Sequence, residues 1–159
     1  MKREKTTMQK KYYRFFDALI KEFKKKKPGV TERGASYDSW LAIPSGYGNS
    51  IHFEWLFHGR EPNKKLGVEL HFEDRNEKRN LTLLKHFENK KKELEDKIGE
   101  KLMFEKWTKT WTRIYLTKLV GTLENGIKNE DIKRWAVDTM IKFYEVFKPE
   151  LDRFVPTIK

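Results

Sequence analysis

Two stretches of strict alternation constrain this chain more than anything else in it. In Ile51–His58 the odd positions are Ile51, Phe53, Trp55 and Phe57, and the even ones His52, Glu54, Leu56 and His58. In Leu66–Glu73 the even positions are Leu66, Val68, Leu70 and Phe72, and the odd ones Gly67, Glu69, His71 and Glu73. A period of two is that of a strand buried on one face. The intervening Glu61-Pro62-Asn63-Lys64 suits a turn with proline at its first central position and asparagine at its second. That turn predicts Trp55 opposite Leu70 and Phe53 opposite Phe72, with every large apolar side chain on one face. On the other face it predicts Glu54 opposite His71 and His52 opposite Glu73.

Those four polar residues form the candidate site. Cross-strand neighbours lie roughly 5 Å apart at Cβ, so His52, Glu54, His71 and Glu73 can converge on one ion. Imidazole and carboxylate together suit zinc, manganese or iron. His58 lies roughly 20 Å along the strand from His52 and is expected to stay apart. The plainer expectation for the same residues is a wet sheet face with His–Glu contacts worth about a few tenths of a kcal/mol each.

The rest of the chain supplies helices for the apolar face. Thr6 or Thr7 can cap a first helix whose stripe is Met8, Tyr12, Phe15, Phe16, Leu19, Ile20 and Phe23. Lys24, Lys25, Lys26 and Lys27 close it, more cations than a helix dipole requires. Val30–Tyr37 reads as a connector, Trp40–Ile43 as a short first strand and Pro44–Ser50 as a hairpin loop. A second helix is predicted from Asp74 or Asn76 to Ile98, stopped by Gly99, with Leu81, Leu84, Phe87, Leu94 and Ile98 inward. Its charged Asn89–Lys97 part is expected to project into solvent. Lys101–Trp107 and Arg113–Lys118 read as a second hairpin with its turn in Thr108–Thr112, and Thr122–Lys128 as loop. Asn129 caps a last helix carrying Ile132, Trp135, Ala136, Thr139, Met140, Phe143 and Phe147, which Pro149 ends or kinks. Trp40, Trp55 and Trp135 sit in apolar stripes and are expected in the core; Trp111 sits in a turn. The fold class is α+β, one domain over residues 1–159, in the order α-β-β-β-α-β-β-α: a largely antiparallel five-stranded sheet packed by three helices.

Composition narrows the setting. The chain has no cysteine, which excludes a disulfide scaffold and fits a cytoplasmic protein. No apolar run approaches the roughly 20 residues of a membrane span, and no apolar segment follows the charged start as in a signal peptide. The net charge is +11, and Met1–Arg33 holds twelve Lys/Arg against four Asp/Glu. Such asymmetry steers a protein toward phosphate or another polyanion.

Several segments together resemble the prokaryotic family called domain of unknown function 4268. They are Ser39-Trp40-Leu41-Ala42-Ile43 with the Gly-rich turn after it; Asn80-Leu81 through Phe87, Lys92-Glu93-Leu94-Glu95, Gly99 and Leu102–Trp107; Thr112-Arg113-Ile114; and Arg134-Trp135 through Val146-Phe147-Lys148-Pro149-Glu150-Leu151. Members occur alone or joined to modules that look like restriction nucleases, so the resemblance implies a nucleic-acid or genome-defence setting. It implies no catalytic residues. A remoter similarity is to the restriction-endonuclease-like fold, whose active members carry an acid on the second strand and acid-x-lysine on the third. Here Glu54 and Glu69-Leu70-His71 stand in those places; the lysine is absent, and no aspartate leads the second strand.

The leading functional expectation is therefore a small basic module that binds nucleic acid or accompanies a defence or restriction system, without catalysis. Its contacts are Lys24, Lys25, Lys26 and Lys27, with Arg113 and Tyr115 extending the polar face and Trp107 and Tyr47 beside them for stacking. One alternative is a divalent-metal-dependent nuclease using Glu54, Glu69 and His71. Another is a protein-interaction or dimerisation module, with a partner nuclease or a second copy as its partner. No motif implies an organic cofactor, and a divalent metal on His52, Glu54, His71 and Glu73 is the one inorganic ligand the residues suggest.

Overall fold

The computed structural model describes residues 3–158 of the chain. Met1, Lys2 and Lys159 lie outside the described residues, so the basic N-terminal region is followed from Arg3 onward. The elements are α1 (Thr7–Lys26), β1 (Trp40–Pro44), β2 (Ile51–His58), β3 (Lys64–Phe72), α2 (Glu77–Glu88), α3 (Lys91–Ile98), β4 (Met103–Lys106), β5 (Thr112–Gly121), α4 (Leu123–Lys128) and α5 (Glu130–Phe154). The strands form one sheet in the order β1-β2-β3-β5-β4, antiparallel throughout. This is the expected α+β domain.

The helices cover one face of the sheet. Phe23 of α1 meets Trp55 edge-on, and the Trp55 indole N–H donates to the Ala136 carbonyl of α5 at 3.0 Å. Phe72 stacks on Phe87 of α2, which meets Phe147 of α5 edge-on. Trp55, Phe15, Phe16, Phe23, Phe53, Phe72, Phe87, Phe143 and Phe147 are all fully buried, so a few large rings supply much of the core. Thr6 caps α1 with Gln9 in a reciprocal capping box, and Asn76 and Asn129 cap α2 and α5 through their side chains.

The structure corrects the sequence-based expectations at several points. The β2–β3 register pairs Trp55 with Val68, Phe53 with Leu70, Glu54 with Glu69 and His52 with His71. The Asn63 N–H donates to the Arg60 carbonyl at 2.8 Å, so the turn is centred between Glu61 and Pro62, one residue earlier than the expected centre. Moving the centre by one residue moves every pair by two, which keeps each side chain on its face and changes every partner. The predicted second helix is two helices. The chain turns at Asn89–Lys90, where its apolar stripe lapses, and α3 carries Leu94 and Ile98 into the core instead of projecting into solvent. Leu83, not Leu81, faces inward on α2.

Thr122–Lys128 is not a loop. Thr122 caps the short α4, whose first amide N–H at Leu123 donates to Glu61 in the β2–β3 turn at 2.6 Å. Gly126 sits so close to Phe15 and Val120 that a β-carbon there would press on both. Pro149 neither ends nor breaks α5, which runs on to Phe154 with Phe147 and Leu151 buried on either side. An interior proline costs about 3 kcal/mol, and each fully buried Leu or Phe offsets roughly 1.5–3 kcal/mol.

Candidate functional site

The face of the sheet away from the helices carries the polar residues in rows across the strands. One row reads Pro44, His52, His71, Arg113, Glu105 from β1 to β4. The next reads Ala42, Glu54, Glu69, Tyr115, Met103. A third begins Trp40, Leu56, Gly67, Thr117. Like groups face each other across the strands, which on its own is unfavourable. Arg113 and Glu105 are the directly opposed ion pair; the other opposite charges meet along the strands and on diagonals.

Glu69 is the hub and is fully buried. Its Oε1 accepts from His71 Nε2 at 2.7 Å and from Arg113 Nη1 at 3.1 Å, while Oε2 lies 2.5 Å from His58 Nε2. His58, expected to stay apart, therefore joins the network. It does so across Gly67, where a β-carbon would overlap the Glu69 carboxylate and press on the His58 ring. Burial pushes the Glu69 carboxyl up, but the hydrogen bonds from His58 and His71 outweigh it and hold the group below the usual carboxylate range. Burial likewise pushes the His71 imidazole down, but bonds to Glu69 and Glu73 and the charge of Glu54 raise it to about 9.

The expected pairs Glu54–His71 and His52–Glu73 are replaced by others. His52 Nε2 lies 3.1 Å from Glu54 Oε1, and His71 Nδ1 lies 2.9 Å from Glu73 Oε2. The longer approaches of 3.8 Å, His52–Glu73 and His71–Glu54, close the block. Donor atoms of His52, His71 and Glu73 all lie within 4.8 Å of one another. The four residues do come together on one face, through a different set of contacts from the one the turn predicted.

Arg113 is not a free phosphate ligand. Nε and Nη2 donate to Glu105, Nη1 donates to Glu69, and the guanidinium lies 4.6 Å from the Trp107 ring centre and 4.3 Å from that of Tyr115. Tyr115 in turn stacks beside His58. Tyr47, expected to share this face, bonds Asp152 at 2.6 Å with Lys148 over its ring. The lysine run is elsewhere again. Lys24–Lys27 belong to the end of α1, on the helical side, where Lys26 pairs with Asp138 and Lys27 with Glu145. The sheet separates those lysines from Arg113 and Tyr115.

Above the His–Glu block lies a cleft of about 770 Å³. His52, Glu54 and Glu73 line its floor beside Ala42 and Leu56; Trp40, Trp107 and Trp111 line it as well, and Arg33 from the connector joins them. Trp40 is 42% exposed and Trp111 37%. Trp40, expected in the core, thus stands on the open face of β1, and Trp135 lies at the core's edge with its indole N–H on Glu100. Trp107 packs against His71 at 5.1 Å between ring centres, and its Nε1 is the one buried side-chain polar atom without a partner among the described residues. Sequence reasoning missed the cleft because its parts come from the connector, β1, β2 and the β4–β5 turn. Trp111, an unexplained aromatic in a turn, and Trp107, expected to stack beside the polar face, are the signals that pointed to it.

No helix among the described residues is long and apolar enough to cross a membrane. No curated protein and no solved structure matches the chain. The family model for the domain of unknown function DUF4268 matches residues 11–151, nearly the whole length, and the chain belongs to that family.

Proposed function

We propose that this protein is a nucleic-acid-binding module whose cleft takes an unpaired base between its tryptophans. The observation that carries the reading is the cleft that Trp40, Trp107 and Trp111 line together with His52, Glu54 and Glu73, two of the three rings being more than a third exposed. Large aromatic rings held on a rigid sheet are stacking platforms for bases, and stacking tolerates any base because each has a π-face. The net charge of +11 supports the approach of a polyanion, and Arg33 beside the rings supports a backbone contact. The floor carboxylates disfavour phosphate inside the cleft, so the base enters and the backbone stays outside. This favours a single strand over a duplex. In the defence setting that the family resemblance implies, such a module holds a strand for a separate nuclease.

The test is a titration of the intact protein with a single-stranded oligonucleotide, read by tryptophan fluorescence across a salt series. Stacking contributes about 1–3 kcal/mol per base, so Trp111→Ala and Trp40→Ala should each weaken binding roughly 5- to 150-fold. Binding that is absent at low salt, or unchanged in both variants, contradicts the reading.

A further inference from the structure

We propose that His52, His71, Glu54 and Glu73 hold a divalent transition-metal ion, zinc being the probe of choice, at the floor of the cleft. The hydrogen bonds of the two rings fix which nitrogen of each carries a hydrogen. His52 Nδ1 lies 3.0 Å from the Asn49 carbonyl oxygen, which only accepts, so that nitrogen carries a hydrogen. His71 Nε2 lies 2.7 Å from the Glu69 carboxylate and carries one for the same reason. Each ring then turns its other nitrogen toward the same pair of carboxylates: His52 Nε2 toward Glu54 and Glu73, His71 Nδ1 toward Glu73 and Glu54. A nitrogen lone pair facing a carboxylate repels it, so positive charge belongs between them. Two protons would place two imidazolium rings side by side, with centres 5.2 Å apart. One dication supplies the same charge and satisfies all four groups at once.

Both rings also have the outer support that metal-bound histidines need. Metal-bound histidines hold their outer N–H on a carbonyl or carboxylate, which fixes the tautomer and aims the ring. The Asn49 carbonyl and Glu69 stand in those two places, and Glu69 is itself held by His58 and Arg113. The spacing also fits. Bonds of about 2.1 Å set ligand atoms roughly 3–4 Å apart around an ion, and three of the donor atoms already lie within 4.8 Å of one another. Two imidazoles with two carboxylates select zinc, manganese or iron over magnesium and calcium, which prefer oxygen. The remaining side of the ion faces the cleft.

This inference stands apart from base binding, because metal uptake is read with no nucleic acid present. Chelator-treated protein is titrated with zinc by calorimetry, in the presence of millimolar magnesium. The expected result is one ion per chain. His52→Ala, and separately the volume-conserving Glu73→Gln, should each raise the Kd about tenfold or more, in keeping with the cost of disturbing a metal's ligand shell. His86→Ala should leave it unchanged, since His86 pairs with Glu150 away from the cleft. No uptake, displacement by magnesium, or uptake that survives both site variants overturns the assignment.

Discussion

Gly67 and Glu69 face the same side of β3, and the Glu69 carboxylate occupies the space a β-carbon on Gly67 would need. The glycine is therefore required by the charge network, not by a turn. Gly67→Ala pushes Glu69 off His58 and disturbs a fully buried charge. Oε1 keeps its bonds to His71 and Arg113, so what is lost is one charge-assisted hydrogen bond, and a loss of about 1.5–3 kcal/mol is expected in urea unfolding. A loss below about 0.5 kcal/mol, the range of an ordinary surface change, would mean the network relaxes around the methyl group.

The same network sets a pH window in the metal-free protein. His71 is raised from its ordinary 6.5 to about 9, so its contribution is fully present below pH 6.5 and is lost as pH rises through 9. Glu69 is held below its ordinary 4.5, so its contribution is present above pH 4.5 and is lost as pH falls through the folded value. These two groups contribute most between pH 4.5 and 6.5. Chemical denaturation at pH 5.5 and pH 9 should show the protein more stable at the lower value, and a histidine ring resonance should titrate near 9. A His71 ring that titrates at its ordinary value would contradict this.

The tryptophans sort into two kinds. Trp55 is fully buried and bonded to Ala136, so Trp55→Ala should cost about 3–5 kcal/mol. Trp40 stands 42% exposed on the other face, and Trp40→Ala should change stability by no more than about 0.5 kcal/mol. Thermal melts of both variants check the contrast; similar losses would place Trp40 in the core.

Alternation made the two faces of the sheet readable from the sequence, and with them the meeting of His52, Glu54, His71 and Glu73. It could not distinguish registers two residues apart, because both keep every side chain on its face. The turn decided between them, and Pro62 fits more than one turn position. The place of His58 was hidden for a related reason. Distance along β2 separates it from His52, yet the bare Gly67 lets it reach Glu69. The short α4 has too few residues to show a period, and Trp40 opens the unbroken apolar run Trp40-Leu41-Ala42-Ile43, whose composition does not say which face each side chain takes.

Phosphodiester cleavage is not expected with magnesium or manganese. Both oxygens of Glu69 are engaged by His71, Arg113 and His58, which leaves no acid on β3 free in the place where acid-x-lysine would hold an ion. Position 71 is histidine, and among the described residues no lysine lines the cleft to stabilise developing charge. Incubation of labelled DNA and RNA with either ion should leave both intact. Cleavage that Glu69→Gln abolishes in a folded protein would replace the binding reading with a nuclease.

If the tryptophan cleft is where nucleic acid binds, the five indole N–H resonances of the protein report on it directly. On adding a short single-stranded oligonucleotide, the signals of Trp40, Trp107 and Trp111 should shift, while those of Trp55 and Trp135 stay in place. Binding that leaves the three cleft signals unmoved, or that shifts Trp135 alone, would put the contact surface outside the cleft and contradict the account.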